Sequence, residues 1–284
     1  MLRWIALSLL LCLQGCSAIK LGYQQLPTLS YWWLDSAVSF NDAQASQTKE
    51  ALSQLQRWHR AQELPVYADL FKRLAAQSAE PLQAQQVCNA VDEVDKALDR
   101  TMRKVVSLAA PVALLLGPEQ LSHLEQHWAR KNQDWEKEWA QGSPKERLER
   151  RLSKTVDRYS DFYGPLTPAQ TALVKGQLQQ SAWTPEWGRR DRLRRHQDLL
   201  STLQKASQSN AQALPQVEAD LWAVWQRWMA PPDAYGRSVI QQMTQQGCEN
   251  LAQLHNSASP EQRQRAARRL RAYEQDLRDL VRPS

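Results

Sequence analysis

The chain has 284 residues, with 36 Lys and Arg against 30 Asp and Glu. Gly fills only 9 positions, less than half of its average share of about 7%, which argues against Gly-rich phosphate-binding loops and collagen-like repeats. A hydrophobic content of 42% and a charged content of 23% are those of a globular protein and exclude wholesale disorder. The patterns below inform on compartment, anchoring and fold, and none of them assigns a biochemical activity.

The amino terminus has the form of a secretory signal. Arg3 supplies one positive charge, and residues 4–13 are apolar except for Ser8. Ten helical residues rise about 15 Å, half of the hydrocarbon core of a bilayer, so this run is too short to span a membrane permanently. A short basic start followed by an apolar core predicts a cleaved signal peptide, which we place at residues 1–15.

The sequence Leu-Gln-Gly-Cys at 13–16 follows directly. It resembles the lipobox of bacterial lipoproteins, which implies diacylglycerol on the Cys16 thiol, cleavage before Cys16 and an acyl chain such as palmitate on the new amino terminus. Two or more acyl chains hold a protein stably on a bilayer. Because Ser17 rather than Asp follows, the resemblance implies the periplasmic face of the outer membrane, with the inner membrane as the alternative. An ordinary signal peptide with a chance cysteine is the other interpretation.

Two further cysteines, Cys88 and Cys248, remain in the mature chain. An even number of cysteines in an oxidising compartment predicts a disulfide between them. Closing so long a loop would stabilise the fold by roughly 5 kcal/mol through loop-closure entropy. Two buried free thiols are the alternative, since cysteine is often a small core residue.

The mature chain, residues 16–284, is predicted to be all-α, a bundle of about ten amphipathic helices. Good helix formers dominate, and apolar residues recur at spacings of three and four. Residues 141–144 form the nearest candidate boundary, so we predict one continuous domain, with this turn as the place where two lobes would meet. The predicted helices are 22–38, 41–62, 65–79, 82–110, 118–140, 144–163, 168–182, 186–208, 213–229, 232–246 and 260–281, with Gly247 as one of the predicted breaks.

Four predicted helix starts share a capping residue followed three positions later by glutamine. A Ser, Thr or Asn side chain caps such a helix, and the glutamine reaches back to the N–H of the cap, which is a capping box. The spacing of the four is irregular, so they are not a solenoid repeat, and repeated helix starts with no shared function are the simpler interpretation. The four stretches are 116–120, 166–170, 258–262 and, in degenerate form, 40–44.

Motifs for catalysis or cofactors are lacking in the sequence. No nucleotide-binding or serine-hydrolase motif is present. His123 and His127 share a helix face, but the Glu that a zinc peptidase needs directly after the first His is missing, so a solvent-facing pair is favoured over a metal site. We therefore predict no catalytic residue, no metal and no cofactor, and a protein that is not an enzyme.

Basic residues form three runs, at 145–158, 189–195 and 263–271. Such runs can bind lipid head groups, lipopolysaccharide or acidic peptides, whereas the predicted compartment disfavours nucleic acid. Solvated helix faces are the alternative. The residues singled out as binding-surface candidates are Arg150, Arg151, Arg189, Arg190, Arg194, Arg195, Arg268 and Arg269.

Tryptophan is the other abundant feature, with 12 in the chain. Trp32 and Trp33 follow the predicted anchor by about sixteen residues. Adjacent indoles cannot face the same way on a helix, so one would dock in the core while the other meets the membrane interface, where Trp is favoured. The alternative is a helix buried on all sides. Trp222, Trp225 and Trp228, at a spacing of three, are predicted to be core.

Several motifs resemble the amino-terminal signature of an uncharacterised group of proteobacterial lipoproteins, catalogued as a domain of unknown function. The resemblance extends over most of the mature chain and is most specific in residues 16–75. It implies an all-helical envelope lipoprotein and no catalytic residues. The chain departs from the pattern at Phe40-Asn41, where the group has Leu-Thr, which would weaken that cap. The motifs are Tyr-Trp-Trp-Leu-Asp at 31–35, Asn-Asp-Ala-Gln at 41–44, Trp-His-Arg at 58–60 and Glu-Leu-Pro-Val-Tyr at 63–67.

The Leu-Thr-x-x-Gln element at 166–170 is similar to that of the much shorter Spy-type periplasmic chaperones, which are helical, basic and bind unfolded clients. The predicted function is therefore a lipid-anchored, periplasm-facing binding or scaffolding protein whose partner is an envelope protein or an anionic envelope component. A chaperone-like binder of unfolded or acidic clients is the alternative. An enzyme that modifies envelope polymers is the third.

Overall fold

The computed structural model describes residues 20–282, and this part of the chain is helical throughout and contains no strand. The all-α prediction is confirmed. None of the described helices is both long and apolar enough to cross a bilayer. The helices that follow residue 25 are α1 (Leu26–Val38), α2 (Asp42–Gln62), α3 (Leu64–Gln77), α4 (Ala84–Ala113), α5 (Pro118–Trp139), α6 (Pro144–Tyr163), α7 (Pro168–Gln179), α8 (Pro185–Ser207), α9 (Leu214–Met229), α10 (Ala234–Asn256) and α11 (Pro260–Val281), with a short 3₁₀ helix at Ala211–Ala213.

Proline marks most of the helix starts, as predicted. Its missing N–H would be unpaired in a first turn anyway, and its fixed φ suits the helix. The helices that begin directly at a proline are α5, α6, α7, α8 and α11.

The helix predicted to end at residue 182 ends at Gln179, and two other predicted helices end too early. The helix predicted to end at residue 110 continues through Pro111 to Ala113, and the helix predicted to end at residue 246 continues to Asn256. Gly247 therefore lies inside α10, where one Gly costs only about 1 kcal/mol. Buried side chains beyond it, Cys248 and Leu254 among them, hold the helix against its neighbours and outweigh that cost.

The longest helix, α4, organises the packing. It contacts α2, α8, α9 and α10, so it joins the early helices to the late ones. A second close packing lies between α3 and α11, where buried alanines let the two backbones approach. These alanines are Ala68 and Ala75 on α3 and Ala266 and Ala267 on α11.

A disulfide ties α4 to α10. The sulfurs of Cys88 and Cys248 are bonded, and their Cα atoms are 5.4 Å apart across 160 positions of sequence. Val87 and Ala252 pack beside the bond, so the link lies in an apolar cluster.

Two pairs of helix starts are joined by glutamine side chains. In the first pair, which we call the first clasp, Gln44 and Gln120 each donate from Nε2 to the other's Oε1, at 2.9 and 2.7 Å. Gln44 also donates to the carbonyl of Leu115 (2.6 Å), and Gln120 donates to the carbonyl of Ser39 (3.0 Å). The first clasp therefore fastens the start of α2 to the start of α5.

The second clasp repeats this arrangement with Gln170 and Gln262. Their amides exchange hydrogen bonds of 2.8 and 3.1 Å. Gln170 donates to the carbonyl of Ser257 (3.1 Å), and Gln262 donates to the carbonyl of Pro165 (3.2 Å). In both clasps the accepting carbonyl lies two residues before the cap of the partner helix, so α7 and α11 are joined as α2 and α5 are.

The capping boxes are complete at three of the four predicted starts. Asn41, Thr167 and Ser259 each accept a bond from the backbone N–H of the glutamine three residues later. The stretch predicted to be degenerate, at Asn41, is thus a full box. Gly117 is the incomplete one, because it has no side chain and keeps only the bond from its own N–H to Gln120 (3.0 Å).

Candidate binding cleft

A cleft of about 950 Å³ opens between α5, α6, α8, α9 and α10. Indole rings make up much of its wall. Two of them come from α5 at a spacing of four, which places them on one helix face, and the others come from α8, from α9 and from the loop before α8. The five are Trp135, Trp139, Trp183, Trp187 and Trp228.

Cationic side chains make up the rest of the polar wall. Spacings of three and four bring three cations of α6 onto one face, and two more come from α8. Asp191 is the one acidic residue of the lining. The five cations are Arg151, Lys154, Arg158, Arg192 and Arg195.

The charge of Asp191 is already matched inside the protein. One of its carboxylate oxygens lies 2.7 Å from Arg194, and the other lies 2.6 Å from Nε of Arg195. Lys154 is likewise paired, with Glu138, and its ammonium also lies 4.7 Å above the ring of Trp139. Two of the five cations of the cleft are therefore neutralised by carboxylates of the protein itself.

Arg151, Arg158 and Arg192 have no carboxylate within ion-pair distance anywhere in residues 20–282. Arg151 lies 4.7 Å above the ring of Trp183, and Arg192 donates to the amide oxygen of Asn132 (2.7 Å). Burial lowers the pKa of both Arg151 and Arg192. A partly desolvated guanidinium without a counterion is unfavourable, so an anion placed beside these side chains would be stabilising.

His196 forms a neutral part of the wall. Its ring stacks on Trp128, with centroids 4.6 Å apart and planes inclined by 13°. Burial, and after it the charge of Arg192, lowers the pKa of His196 to about 4. The imidazole is therefore uncharged near neutral pH and adds no repulsion against the arginines.

A side cleft of about 490 Å³ adjoins the main one and reaches α1. It is lined by Trp33 together with Trp135, Arg192, His196 and Trp228, of which the last four also line the main cleft. The main and side clefts thus adjoin across four shared residues, and the side cleft extends to α1.

Two predictions for tryptophan are wrong in this region. Trp32 and Trp33 are 62% and 64% exposed, so neither is docked in the core and α1 is not buried on all sides. Only the end of α1, at Ala37 and Val38, is buried, within an apolar cluster shared with α5. Trp228, predicted to be core, is half-buried and lines the cleft.

Of the eight arginines predicted from the basic runs, Arg151 and Arg195 line the cleft. The side chains of two others bind α5 instead, through the carbonyl of Glu138 and the carboxylate of Glu136. The six that do not line the cleft are Arg150, Arg189, Arg190, Arg194, Arg268 and Arg269.

The arginines of the third basic run lie on α11, which contributes nothing to the cleft. Arg269 lies 4.9 Å above the ring of Tyr273 on its own helix, and Arg268 is exposed. On α8, Arg190 lies 4.9 Å above Tyr235. The three runs therefore do not share one face.

Three cations of the cleft, Lys154, Arg158 and Arg192, were not singled out from the sequence, although the basic runs contain them. The spacing of the basic residues along the helix, and not their number per segment, would have identified these cations. Positions 151, 154 and 158 repeat at three and four, as a helix face requires, whereas the adjacent pairs chosen from the runs point in different directions.

His123 and His127, the pair weighed as a metal site, lie on α5 outside the main cleft. His127 lines the side cleft, and burial, aided by Lys131 and Arg130, lowers its pKa. Among residues 20–282, no three His, Cys, Asp or Glu side chains come together as metal ligands.

Comparison with known proteins places the chain in a family. No curated protein and no solved structure matches it. A profile described as "Family of unknown function (DUF6279)" matches residues 36–229, which include α2 to α9 and all of the cleft residues except those of α10. Since the match covers more than half of the sequence, the chain belongs to this family of unknown function.

Proposed function

We propose that the protein is a lipid-anchored, non-enzymatic binding protein that faces the periplasm, on the outer membrane by preference over the inner one. Its cleft binds an anionic component of the cell envelope. The observation that carries this proposal is the convergence of Arg151, Arg158 and Arg192, without carboxylate partners, among five tryptophans. A guanidinium binds phosphate or carboxylate oxygens through two parallel hydrogen bonds, and indole faces pack against the apolar parts of a ligand.

The lining also favours binding over catalysis. The acid in it, Asp191, is occupied by two arginines, and the lowered pKa of His196 keeps that ring neutral near pH 7. A general base needs a pKa near the working pH, which His196 lacks. The cleft is therefore suited to hold an anion without transferring a proton.

Cys16 lies outside the described residues, and the surface of α1 supports anchoring there. Four large apolar side chains of α1 are exposed, and Trp is favoured at a membrane interface. Ten residues separate Cys16 from Leu26 and reach at most about 36 Å, so α1 stays near the bilayer. The four are Leu26, Leu29, Trp32 and Trp33.

Mass spectrometry of the mature amino terminus tests the anchor. We expect Cys16 to carry diacylglycerol and an acylated amine, and Cys16→Ser to lose both. Cys12→Ser is the matched control, because Cys12 would leave with the signal peptide, and it should keep the modification. An unmodified Cys16 thiol in the mature protein would refute the anchor.

Calorimetric titration with glycerol phosphate, a head group without acyl chains, tests the cleft. The protein is the mature chain from residue 16 with Cys16→Ser, produced without its signal. We expect Arg151→Met and Arg192→Met each to weaken binding at least tenfold, since each removes an unpaired guanidinium. Arg268→Met, on α11, should bind like the parent. Equal binding by all four proteins would remove the cleft from the proposal.

A further inference from the structure

An apolar cavity lies beside the cleft. It has a volume of about 330 Å³, is lined by α1, α2, α4, α8 and α9, and is partly open to solvent. Its lining is aliphatic and aromatic, and apart from two indoles the one polar side chain is Thr48. Leu34, Leu55, Ala109 and Val224 represent four of the five walls.

A partly open apolar space of this size can take up a ligand. Protein interiors have few voids larger than one water molecule, whose share of liquid volume is about 30 Å³. Water does not fill the cavity favourably, because a water needs two to four polar partners and the lining offers almost none. The volume corresponds to roughly a dozen groups of that size, which suits an extended hydrocarbon chain.

The cavity and the clefts meet at shared residues. Leu199 lines both the cavity and the side cleft, and Trp228 lines the cavity and both clefts. Nε1 of Trp228 is buried and has no hydrogen-bond partner. Trp228 thus borders an apolar space and a cationic one, and a small rotation of its ring would present this donor to an oxygen that links a tail to an anionic head.

The position of α1 connects this junction to the bilayer. Trp33 lines the side cleft, whereas its neighbour Leu34 lines the cavity. One helix with exposed apolar side chains thus borders both spaces, and the proposed anchor precedes it by only ten residues.

We propose that the cavity binds an acyl chain of a separate anionic lipid, whose phosphate lies in the cleft against Arg192. The head-group half of this proposal rests on the proposed function, whereas the tail half rests on the cavity alone. The charge of the cleft, with its unpaired arginines, favours an anionic lipid over a neutral one.

Calorimetry with dodecyl phosphate, dodecyl maltoside and glycerol phosphate, the first two kept below their critical micelle concentrations, separates the two halves. The protein is again the mature chain with Cys16→Ser. We expect dodecyl phosphate to bind at least tenfold more tightly than either glycerol phosphate or dodecyl maltoside. Equal affinity for dodecyl phosphate and glycerol phosphate would overturn the tail site while leaving the proposed function intact. Equal affinity for the two dodecyl compounds would overturn the anionic head.

Variants that fill the cavity provide the structural control. Ala109→Trp should abolish the gain from the tail and leave glycerol phosphate binding unchanged, and Val224→Phe is a second, smaller filling change in case the first fails to fold. Leu193→Trp, at an exposed position on α8, should behave like the parent. Unchanged dodecyl phosphate binding in a folded, cavity-filled variant would refute the site.

The protein's own lipid is the competing occupant. Lipidated protein in nanodiscs of phosphatidylcholine, which is neutral overall, should still bind dodecyl phosphate if the cavity serves a separate lipid. Loss of binding in the lipidated protein, with binding retained by Cys16→Ser, would assign the cavity to the anchor itself and overturn the proposal.

Discussion

The two clasps share one set of hydrogen bonds and differ in what surrounds them. Gln44 and Gln170 are 3% and 4% exposed, respectively, and each donates to a carbonyl two residues before the partner's cap. Residues that flank the first clasp, Val38, Phe40 and Leu116, line the 330 Å³ cavity. The second clasp instead adjoins a filled cluster.

The surroundings of the second clasp include both packing and polar links. Val174, Leu254 and Ala266 belong to its apolar cluster. His255, which is 1% exposed, lies 3.0 Å from the hydroxyl of Tyr163 and 2.9 Å from the carbonyl of Glu80. The same pair of capping glutamines thus lies beside an open apolar space in one region and beside packed side chains in the other. The capping motif therefore fixes how two helices meet, whereas the neighbouring residues decide whether the space beside them is filled.

Removal of the disulfide should have the largest effect on the stability of the fold. Replacing Cys88 and Cys248 together by Ser frees a loop of 160 residues, which we expect to lower the free energy of unfolding by about 5 kcal/mol. Urea unfolding of the oxidised parent and the double variant measures the loss. Because this loss comes from the greater entropy of the unfolded chain, amides that exchange only through global unfolding should lose protection equally in α2 and in α10. A loss of protection confined to α10 would contradict that account.

Loss of one glutamine tests whether the clasps are equivalent. Gln44→Ala and Gln170→Ala each remove the two bonds exchanged with the partner amide, the bond donated to a carbonyl beside the partner and the bond accepted from the cap N–H. We therefore expect each to lower the free energy of unfolding by about 2–3 kcal/mol. Removing the second glutamine of the same pair should add less than the first, because the network is already broken. Additive losses within one pair, measured by urea unfolding, would show that the amides act independently.

Acidification should weaken both regions through histidine. Burial lowers the pKa of His196 to about 4 and also lowers that of His255, whereas an unfolded chain has a His pKa near 6.5. The unfolded state therefore binds more protons below about pH 6.5, and stability falls as the pH drops from there toward 4. We expect His196→Phe, which keeps a ring against Trp128, to lose less stability than the parent between pH 7 and 4.5.

A comparison of matched variants separates the contribution of histidine to the pH dependence of stability from that of the Asp and Glu side chains. Parent, His196→Phe and His255→Gln are unfolded in urea at both pH values, and only the differences between proteins are interpreted. A parent and a His196→Phe variant with the same pH slope would contradict the assignment for the first region, and the His255→Gln slope tests the second region separately.

The smallest effect is expected from a substitution that completes the capping box at Gly117. Gly117→Ser adds a side chain that can accept the N–H of Gln120, as Ser259 does for Gln262, and the space at Gly117 is open, with the nearest atom 3.9 Å from an added Cβ. We expect a gain of a few tenths of a kcal/mol, since Gly is only slightly worse than Ser at a cap. A shift to higher melting temperature would be the measurement, and a loss of stability would mean that the first clasp requires a bare backbone there.

Local features of this fold were predictable, and non-local ones were not. Prolines and capping glutamines marked helix starts, since capping depends on residues within three positions. The bond between Gln44 and Gln120 joins positions 76 apart, and no local pattern specifies that pairing. The end of α10 was missed for the same reason, because packing beyond Gly247, not propensity, sustains the helix.

The cleft shows the same limit. Its cations were visible as runs, but the selection of Arg150, which lies outside the cleft, and the omission of Arg192, which lines it, show that density in sequence does not identify a shared face. The partner that neutralises Arg189, Glu136, comes from a different helix. Only the folded structure shows which arginines are solvated or paired with a carboxylate and which are partly buried without one.

The clasp also constrains what can replace it. A carboxamide carries a hydrogen-bond donor and an acceptor on one planar group. Two glutamine side chains can therefore form two hydrogen bonds with each other, one in each direction. Glutamate offers two acceptors and no donor when ionised, so a pair of glutamates would repel where the glutamines join. Each clasp is thus a symmetric joint in which a single exchange to glutamate would lose the donated bonds and an exchange of both glutamines would add charge repulsion.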